Sequence, residues 1–503
     1  MEENGFRQTQ TAITICTFVK EGIDVFSYQT AVFGPPWQAP FEFPLFQATA
    51  ALIVKAGLAD IDIAARLTNI FFFYLSAFFL FILCRSFFLE RGITFTIVLC
   101  YVLSPYTIFW SRTSMIDYAS VAFAMGYFYF FMRLLHNNGG FFTLLGAVVC
   151  GALGYLIKIT TMPVVVFPLS YFLGKQLWNN SNKNGYGLLF YVFNEKVFLI
   201  KLLTAIILPF AAGLLWTIHA DNVKNASLFT KWLVSDNLEA WNYGTWSQRA
   251  QLGNWITIAG HIRPFTALTF VIVPAGAVFA LRHPSRHLEF VYTSLAGMFL
   301  TICIFFNLYR AHNYYPMALT PFLAVAAGFA IYHIFFVLLK NDKPTTGIHL
   351  KGCLCAALIT VIGYYYIGTA KAYLNTPLIK NKYSTSTISD FLKIITPPDE
   401  YIIIADHLWN PSILYYARRK GFMINRDYDY GARLFAFFKE YKFTTIVTLK
   451  DYPDLLSNWR YVLKIGPKGY HTVGYNVYKV TDDPLAYESY KKFNDFSNFT
   501  EIK

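Results

Sequence analysis

The run Ala64-Ala-Arg-Leu-Thr-Asn-Ile-Phe-Phe-Phe-Tyr-Leu-Ser-Ala-Phe-Phe-Leu-Phe-Ile-Leu-Cys84 carries a single charge, Arg66, and is dominated by Phe, Leu, Ile and Ala. At 1.5 Å per residue its length matches the roughly 30 Å hydrocarbon core of a bilayer, so it reads as a spanning helix. The same pattern recurs at 93–110, 116–133, 140–157, 161–177, 197–217, 264–281, 288–306, 314–339 and 350–368, giving ten predicted spans. A shorter apolar run, 44–56, reads as a re-entrant or surface helix.

Composition agrees with that reading. The 503 residues are 55% hydrophobic and only 14% charged, with a mean hydropathy of +0.40. A soluble chain of this length has too much surface to cover with so few charges, and disorder, coiled coil and collagen are excluded by the same numbers. The net charge of +13 is attributed to cytoplasmic loops and contact with anionic membrane lipid. No zinc-finger spacing, RNA-binding aromatic motif or basic helix points to nucleic acid. The seven cysteines lie in or beside apolar segments except Cys16, and they form no disulfide framework or metal knuckle.

Alternate loops differ in charge. One set holds Arg85, Arg91, Arg133, Lys175, Lys183, Lys196, Arg282, Arg286, Lys340, Lys343 and Lys351 against Glu90, Glu195 and Asp342. The positive-inside rule places this set in the cytoplasm. The N-terminal segment, the turn near 111–115, the 218–263 loop, the turn at 307–313 and the tail then share the extracytoplasmic face. The expected organisation is a first extracytoplasmic loop over 1–63, a helical membrane bundle over 64–370 and an extracytoplasmic α/β domain over 380–503. In the tail, 401–406, 445–449 and 476–480 read as strands with a helical stretch between the first two, and no glycine-rich nucleotide fingerprint is present. An extracytoplasmic N-terminus ordinarily follows a signal peptide or a first span, so an additional upstream helix is expected.

Polar groups concentrate on the outer face. Arg7, Gln8 and Gln10 lead an amphipathic stretch that would lie along the membrane surface. Glu42 precedes Phe43-Pro44, where a solvated carboxylate at a helix start is the plain alternative to a functional one. Arg112 and Asp117 occupy a short turn between spans, explicable as a salt bridge or helix cap. Lys158 lies between two apolar runs, where a lysine commonly snorkels. The 218–263 loop holds four tryptophans, with Trp216 just before it, together with His261 and Arg263, suited to interfacial anchoring and also to sugar faces or isoprenoid chains. Arg310, His312, Tyr314 and Tyr315 crowd one helix entrance and are the hardest of these groups to explain as anchors. Carboxylates to deprotonate an acceptor, cations to stabilise a departing phosphate, and aromatic surface for a lipid tail and a sugar suit transfer from a lipid-phosphate donor.

The ordered phrases Phe-Arg-Gln-Thr-Gln-Thr-Ala (6–12), Glu-Phe-Pro-Leu (42–45), Trp-Ser-Arg-Thr-Ser-Met-Ile-Asp (110–117), Leu-Ile-Lys-Ile-Thr-Thr-Met-Pro (156–163) and His-Asn-Tyr-Tyr-Pro (312–316) resemble the bacterial branch of the dolichyl-phosphate-mannose protein mannosyltransferase family. That branch is glycosyltransferase family 39-like and includes relatives of the lipid A aminoarabinose transferases. The resemblance spans roughly residues 1–370. It implies a GT-C fold, an all-α polytopic bundle of about 10–11 spanning helices with a small C-terminal extracytoplasmic α/β domain. It also implies transfer, with inversion, of a sugar from a polyprenyl- or dolichyl-phosphate carrier to an extracytoplasmic lipid, protein or polysaccharide, in a multi-pass plasma (inner) membrane protein.

By this resemblance Glu42 matches the acidic residue of the first loop and Asp117 that of the second. Lys158 and the 312–315 phrase match text implicated in phosphate and donor contact. With Arg7, Arg112, His261, Arg263 and Arg310, these residues make up the expected donor-binding set. The chain departs from the pattern in having Phe43 where many relatives carry Lys. It also has Glu2, within Met1-Glu2-Glu3-Asn4, where the family places a catalytic Asp; Glu2 is accordingly the third candidate carboxylate. Glu42, Asp117 and His261 would hold a divalent metal ion only if folding brings them together. A transporter or flippase of lipid-linked sugars, and a non-catalytic binder of them, are the competing classes. A transporter would place charges near the middle of broken spans, whereas here they sit at helix ends.

Overall fold

The computed structural model describes residues 5–339, except 89, 137–138, 184–195, 267 and 283–284, and residues 378–491, except 406, 408–409, 425–430, 450–452 and 466–474. Residues 360, 363–364, 367–368 and 371 are described between these two stretches. Glu2 lies outside the described residues, as does most of the expected span at 350–368.

The chain begins with α1 (Gly5–Glu21) and α2 (Leu45–Lys55), followed by α3 (Ile61–Phe87), α4 (Arg91–Leu103), α5 (Pro105–Ser111), α6 (Asp117–Leu135), α7 (Phe141–Lys158) and α8 (Pro163–Lys183). Beyond these come long helices at Lys196–Asn225, Ser285–Ile304 and Thr320–Leu339. Six described helices are long and apolar enough to cross a membrane, and eight if each of two bent pairs counts as one span. The protein is a multi-pass membrane protein.

Two predicted spans are bent rather than straight. Pro105 breaks the 93–110 run: it disfavours helical backbone at Ser104, whose ψ of 130° ends α4, and α5 leaves at 56°. The 264–281 run joins an earlier helical segment, Leu252–Phe265, at an 82° bend. A third expectation is corrected at α8. Its apolar stretch ends at Gly174, before Lys175 and Gln176, so it is not among the helices long and apolar enough to span. A fourth concerns α1, which does not lie exposed along a surface. Gln8, Thr9, Thr11, Ala12, Ile15 and Phe18 are all buried, and α1 packs against α2, α3 and the short helix Ser412–Ala417.

Bundle packing relies on close backbone approach, because in lipid the apolar side chains gain little from burial against one another. The helix Thr320–Leu339 is clasped from two sides. A Cβ at Gly276 would lie 2.1 Å from the Ala326 carbonyl oxygen, and one at Gly328 would lie 2.5 Å from the Ile97 Cα. Glycine at both crossings admits contacts that any side chain would block. At the start of α3, Asp60 caps the helix by accepting from the Ile63 N–H at 2.8 Å.

The C-terminal region holds a five-stranded mixed sheet: β1 (Ile402–Ala405), β2 (Gly421–Ile424), β3 (Thr445–Thr448), β4 (Tyr461–Ile465) and β5 (Asn476–Thr481), in the order β2-β1-β3-β5-β4. β2, β1 and β3 are parallel, and β5 pairs antiparallel with both β3 and β4. Every residue of the central strands β1 and β3 is buried. The segment 31–34 covers the β2 edge, with the Gly421 and Met423 N–H groups donating to the Ala31 and Val32 carbonyls at 3.2 and 3.0 Å. Val32, Phe33 and Trp37 join the sheet's apolar cluster together with Phe229 and Leu233. These two extramembrane loops thereby tie the sheet to the bundle.

Candidate active site

Asp117 is the first residue of α6, where the unpaired N–H groups and the positive end of the helix dipole favour a carboxylate. Lys158 is the last residue of α7. The two helices form an antiparallel pair with extensive contact, so the start of one faces the end of the other. Lys158 Nζ donates to Asp117 Oδ1 in an ion pair whose side chains are only 7% and 5% exposed. Ser120 Oγ, within 3.2 Å of the Lys158 carbonyl and 3.3 Å of the Gly154 carbonyl, holds the end of α7 against α6. The sequence admits snorkelling for Lys158; the structure instead buries it, because a carboxylate is available within the bundle.

The Lys158 ammonium also faces two aromatic rings, 4.1 Å from the Tyr315 centroid and 5.2 Å from that of Tyr314. Asp117 Oδ2 is buried and has no hydrogen-bond partner among the described residues. A buried carboxylate oxygen without a donor is costly, and such an atom is where a ligand proton or an ordered water is expected.

A second ion pair lies alongside. Arg7 donates to Glu42 Oε1 and, at 2.8 Å, to Gln10 Oε1. The Glu42 turn is held by Tyr28, whose hydroxyl donates to the Glu42 carbonyl at 2.9 Å and accepts from the Phe41 N–H at 2.7 Å. The Phe43 N–H donates to the Leu156 carbonyl at 3.0 Å, joining this turn to the last turn of α7. Tyr314 lies within the field of Arg7, Lys158 and Asp117, and Tyr315 within that of Arg7, Asp117 and Glu42. Both ion pairs therefore converge on the tyrosine pair.

His312 completes the cluster, stacked on Tyr315 with centroids 5.7 Å apart and flanked by Phe6 and Trp241. Burial, and then the positive charges of Lys158, Arg7 and His261, lower its pKa to about 4, so it is neutral near pH 7. His261 is placed by its Nδ1, 2.9 Å from the Tyr309 carbonyl oxygen. Arg310 donates to Asn307 Oδ1 at 2.7 and 3.0 Å. Arg112 and Arg263 are exposed and form no ion pair with another described residue, so the structure does not bring them into the cluster. Glu42, Asp117 and His261 do not converge as metal ligands: among the described residues no group of three or more His, Cys, Asp or Glu is arranged to hold an ion.

Several supporting contacts escape sequence reasoning. Asn69 Nδ2 donates to the Trp110 and Thr113 carbonyls at 2.8 and 2.9 Å, pinning the turn that leads to Asp117 onto α3. Gln8 Oε1 accepts from the Ser114 N–H at 3.3 Å, and the Tyr106 hydroxyl donates to the Asn313 carbonyl at 2.8 Å. Asn307 Nδ2 donates to the Trp241 carbonyl at 2.8 Å. The available signal was an amide inside an apolar run, as at Asn69, because such a group must find partners when buried in a membrane.

The chain thus combines bent spans, an end-of-bundle cluster of ion pairs and a terminal mixed sheet in one membrane fold, the architecture expected of the GT-C type. Neither a family model nor a curated protein matches the chain. Among solved structures it is similar to ArnT from Cupriavidus metallidurans bound to undecaprenyl phosphate, with a TM-score of 0.63 and 13% identity over 94% of this chain and 93% of that one. The apo form of the same ArnT gives 0.61 and 14% over 95% and 93%. The oligosaccharyltransferase of Archaeoglobus fulgidus gives 0.52 and 12%, over 88% of this chain and 65% of that one. At these identities the likeness establishes the shared fold.

Proposed function

We infer that this chain is an integral-membrane glycosyltransferase that moves a sugar from a polyprenyl-phosphate carrier to an acceptor at the membrane surface. The observation that carries this reading is the buried Asp117–Lys158 pair at the end of the bundle, with one carboxylate oxygen unpartnered among the described residues and the ammonium against the rings of Tyr314 and Tyr315. The solved structure of similar fold that is bound to undecaprenyl phosphate supports the donor class.

In this mechanism Asp117 Oδ2 takes the proton of the acceptor hydroxyl as its oxygen attacks the anomeric carbon. The carbon–oxygen bond to the phosphate breaks on the opposite face, inverting the centre, and the polyprenyl phosphate leaves with the electron pair. Lys158 holds the other oxygen of Asp117, and Lys158 and Arg7 face the growing phosphate charge. Neutral His312 and the two tyrosines supply aromatic surface and hydroxyl groups to the sugar. Glu42 orients Arg7, and Glu2 is a second candidate base. The charge asymmetry of the loops supports an extracytoplasmic position for this end of the bundle and for the C-terminal sheet region.

The test is a release assay on the full chain in nanodiscs with labelled polyprenyl-phosphate sugars, comparing wild type with Asp117→Asn and Glu42→Gln. Sugar release that Asp117→Asn abolishes and Glu42→Gln diminishes supports the transferase. Donor binding without release from a correctly inserted wild-type chain, across a broad donor panel, would replace it with a carrier or binder of lipid-linked sugars.

A further inference from the structure

A cavity of about 300 Å³ opens where α1 meets the C-terminal sheet region. It lies roughly 14–20 Å along α1 from Arg7, so it is separate from the tyrosine-lined cluster. Its walls include Cys16 and Lys20 of α1, Tyr401 before β1, and Tyr415 and Arg418 at the end of the helix Ser412–Ala417. The hydroxyl of Tyr415 donates to Asp62 Oδ1 at 2.8 Å, which anchors this wall to the start of α3. The cavity therefore sits at the end of the bundle that carries Asp117.

The charges around it are unequal in number and in commitment. Lys20, Arg418, Arg419 and Lys420 face Glu21 and Asp399, an excess of two positive charges. Lys420 is paired with Glu21 and with Gln29, and Arg419 is spent on the Thr396, Ala417 and Lys393 carbonyls. Lys20 and Arg418 form no ion pair or side-chain hydrogen bond with another described residue, yet both act electrostatically on Cys16 inside the cavity. Arg418 also holds a left-handed backbone with φ of 55°, at a helix C-terminus where glycine fits without strain.

We propose that this cavity binds a phosphate-bearing polar head group of about monosaccharide size, with Arg418 and Lys20 as its phosphate ligands. A phosphate monoester carries close to two negative charges at neutral pH and matches the excess on the wall. The fork of N–H groups on arginine suits its oxygens. Tyr401 and Tyr415 provide aromatic faces for a ring carried on the phosphate. The site is independent of the transfer chemistry assigned to Asp117 and is read without it.

The full chain in phosphatidylcholine nanodiscs is titrated with glucose 6-phosphate, with glucose as the uncharged control. In a parallel arm phosphatidic acid is introduced into the nanodiscs. Occupancy is read from the rate of Cys16 alkylation, followed by peptide mass spectrometry, and from broadening of the phosphorus NMR signal. Protection of Cys16 by about tenfold with glucose 6-phosphate and not with glucose is expected for a soluble ligand, and protection by phosphatidic acid alone for a lipid head group. Either pattern supports the site if Arg418→Gly and Lys20→Gln remove it. Arg418→Gly suits the left-handed backbone, so loss of binding in that variant does not come from misfolding. Absence of both protection and line broadening in every arm, or protection that survives both substitutions, overturns the proposal.

Discussion

Two buried lysine–carboxylate pairs, one in the bundle and one in the sheet region, have different surroundings. In the sheet, Lys479 donates to both oxygens of Glu400 at 2.6 and 2.8 Å, and the hydroxyls of Thr444 and Thr445 donate to Glu400 as well. That pair is saturated. In the bundle, Lys158 occupies Asp117 Oδ1 and leaves Oδ2 without a partner among the described residues, while the ammonium also lies against the rings of Tyr314 and Tyr315. Burial is nearly equal, at 2% and 10% exposure for Lys479 and Glu400 against 7% and 5% for Lys158 and Asp117. Burial therefore does not separate the saturated pair from the one to which the proposed function gives a chemical role. The count of unfilled lone pairs does, because a saturated carboxylate has nothing left to offer a ligand.

The contrast breaks most visibly if substitution at the two carboxylates produces the same phenotype. Asp117→Asn keeps an oxygen for Lys158 and removes the open basic site, so sugar release should fall by about 10²–10⁴-fold while the chain still elutes as a folded particle. Glu400→Gln should do the reverse. It leaves Lys479 buried beside a neutral amide and should cost the sheet region roughly 3 kcal/mol, read as a lower thermal midpoint, with turnover per folded molecule nearly unchanged. Loss of turnover in a fully folded Glu400→Gln protein would show that the saturated pair has a chemical role.

The aromatic surroundings of Lys158 sharpen the comparison at smaller scale. Replacing Tyr315 by Leu removes the ring 4.1 Å from the ammonium and should weaken donor use by about 1–2 kcal/mol, whereas Tyr315→Phe should retain most of it. Michaelis constants for the labelled donor distinguish the two variants. Equal losses would assign the effect to the hydroxyl rather than to the ring.

The smallest effects expected are in pH, and they set a histidine of each region side by side. His312 is lowered to about 4 by burial and nearby cations, and His407, in the sheet region, to about 4 by burial alone. Between that value and the ordinary 6.5 the unfolded chain binds more protons than the folded one. Stability is thus fully present above about pH 6.5 and declines as pH falls toward 4. Thermal unfolding across this window should show the decline, and His407→Gln should flatten it for the sheet region while leaving the contribution of His312. An acid limb unchanged by either substitution at position 312 or 407 would remove both groups from the explanation.

Much of this fold was legible from apolar run length alone, because the bilayer thickness translates directly into the number of residues a helix needs. The run at 64–84 became α3 and the run at 116–133 became α6, with ends displaced by a few residues. Strands β1, β3 and β5 were readable as β-branched runs. The four residues of β2 were not, since Gly421 and Met423 carry little strand preference and become a strand only by pairing with β1. Charges at helix ends identified the ingredients of the site. Sequence spacing could not say that Lys158 closes on Asp117 rather than reaching solvent, or that Arg7 takes Glu42, because residues 41 and 35 positions apart meet only through helix packing. Composition and hydrophobic run length, which are local sums, determined that this is a multi-pass membrane protein with its polar chemistry at one end. Tertiary structure alone decided which lone pair stays open, which cations remain unspent beside the cavity between α1 and the sheet region, and that Asn69 and Gln8 pin the turn leading to Asp117. Those outcomes depend on which atoms meet, and that is set by packing between segments distant in the chain.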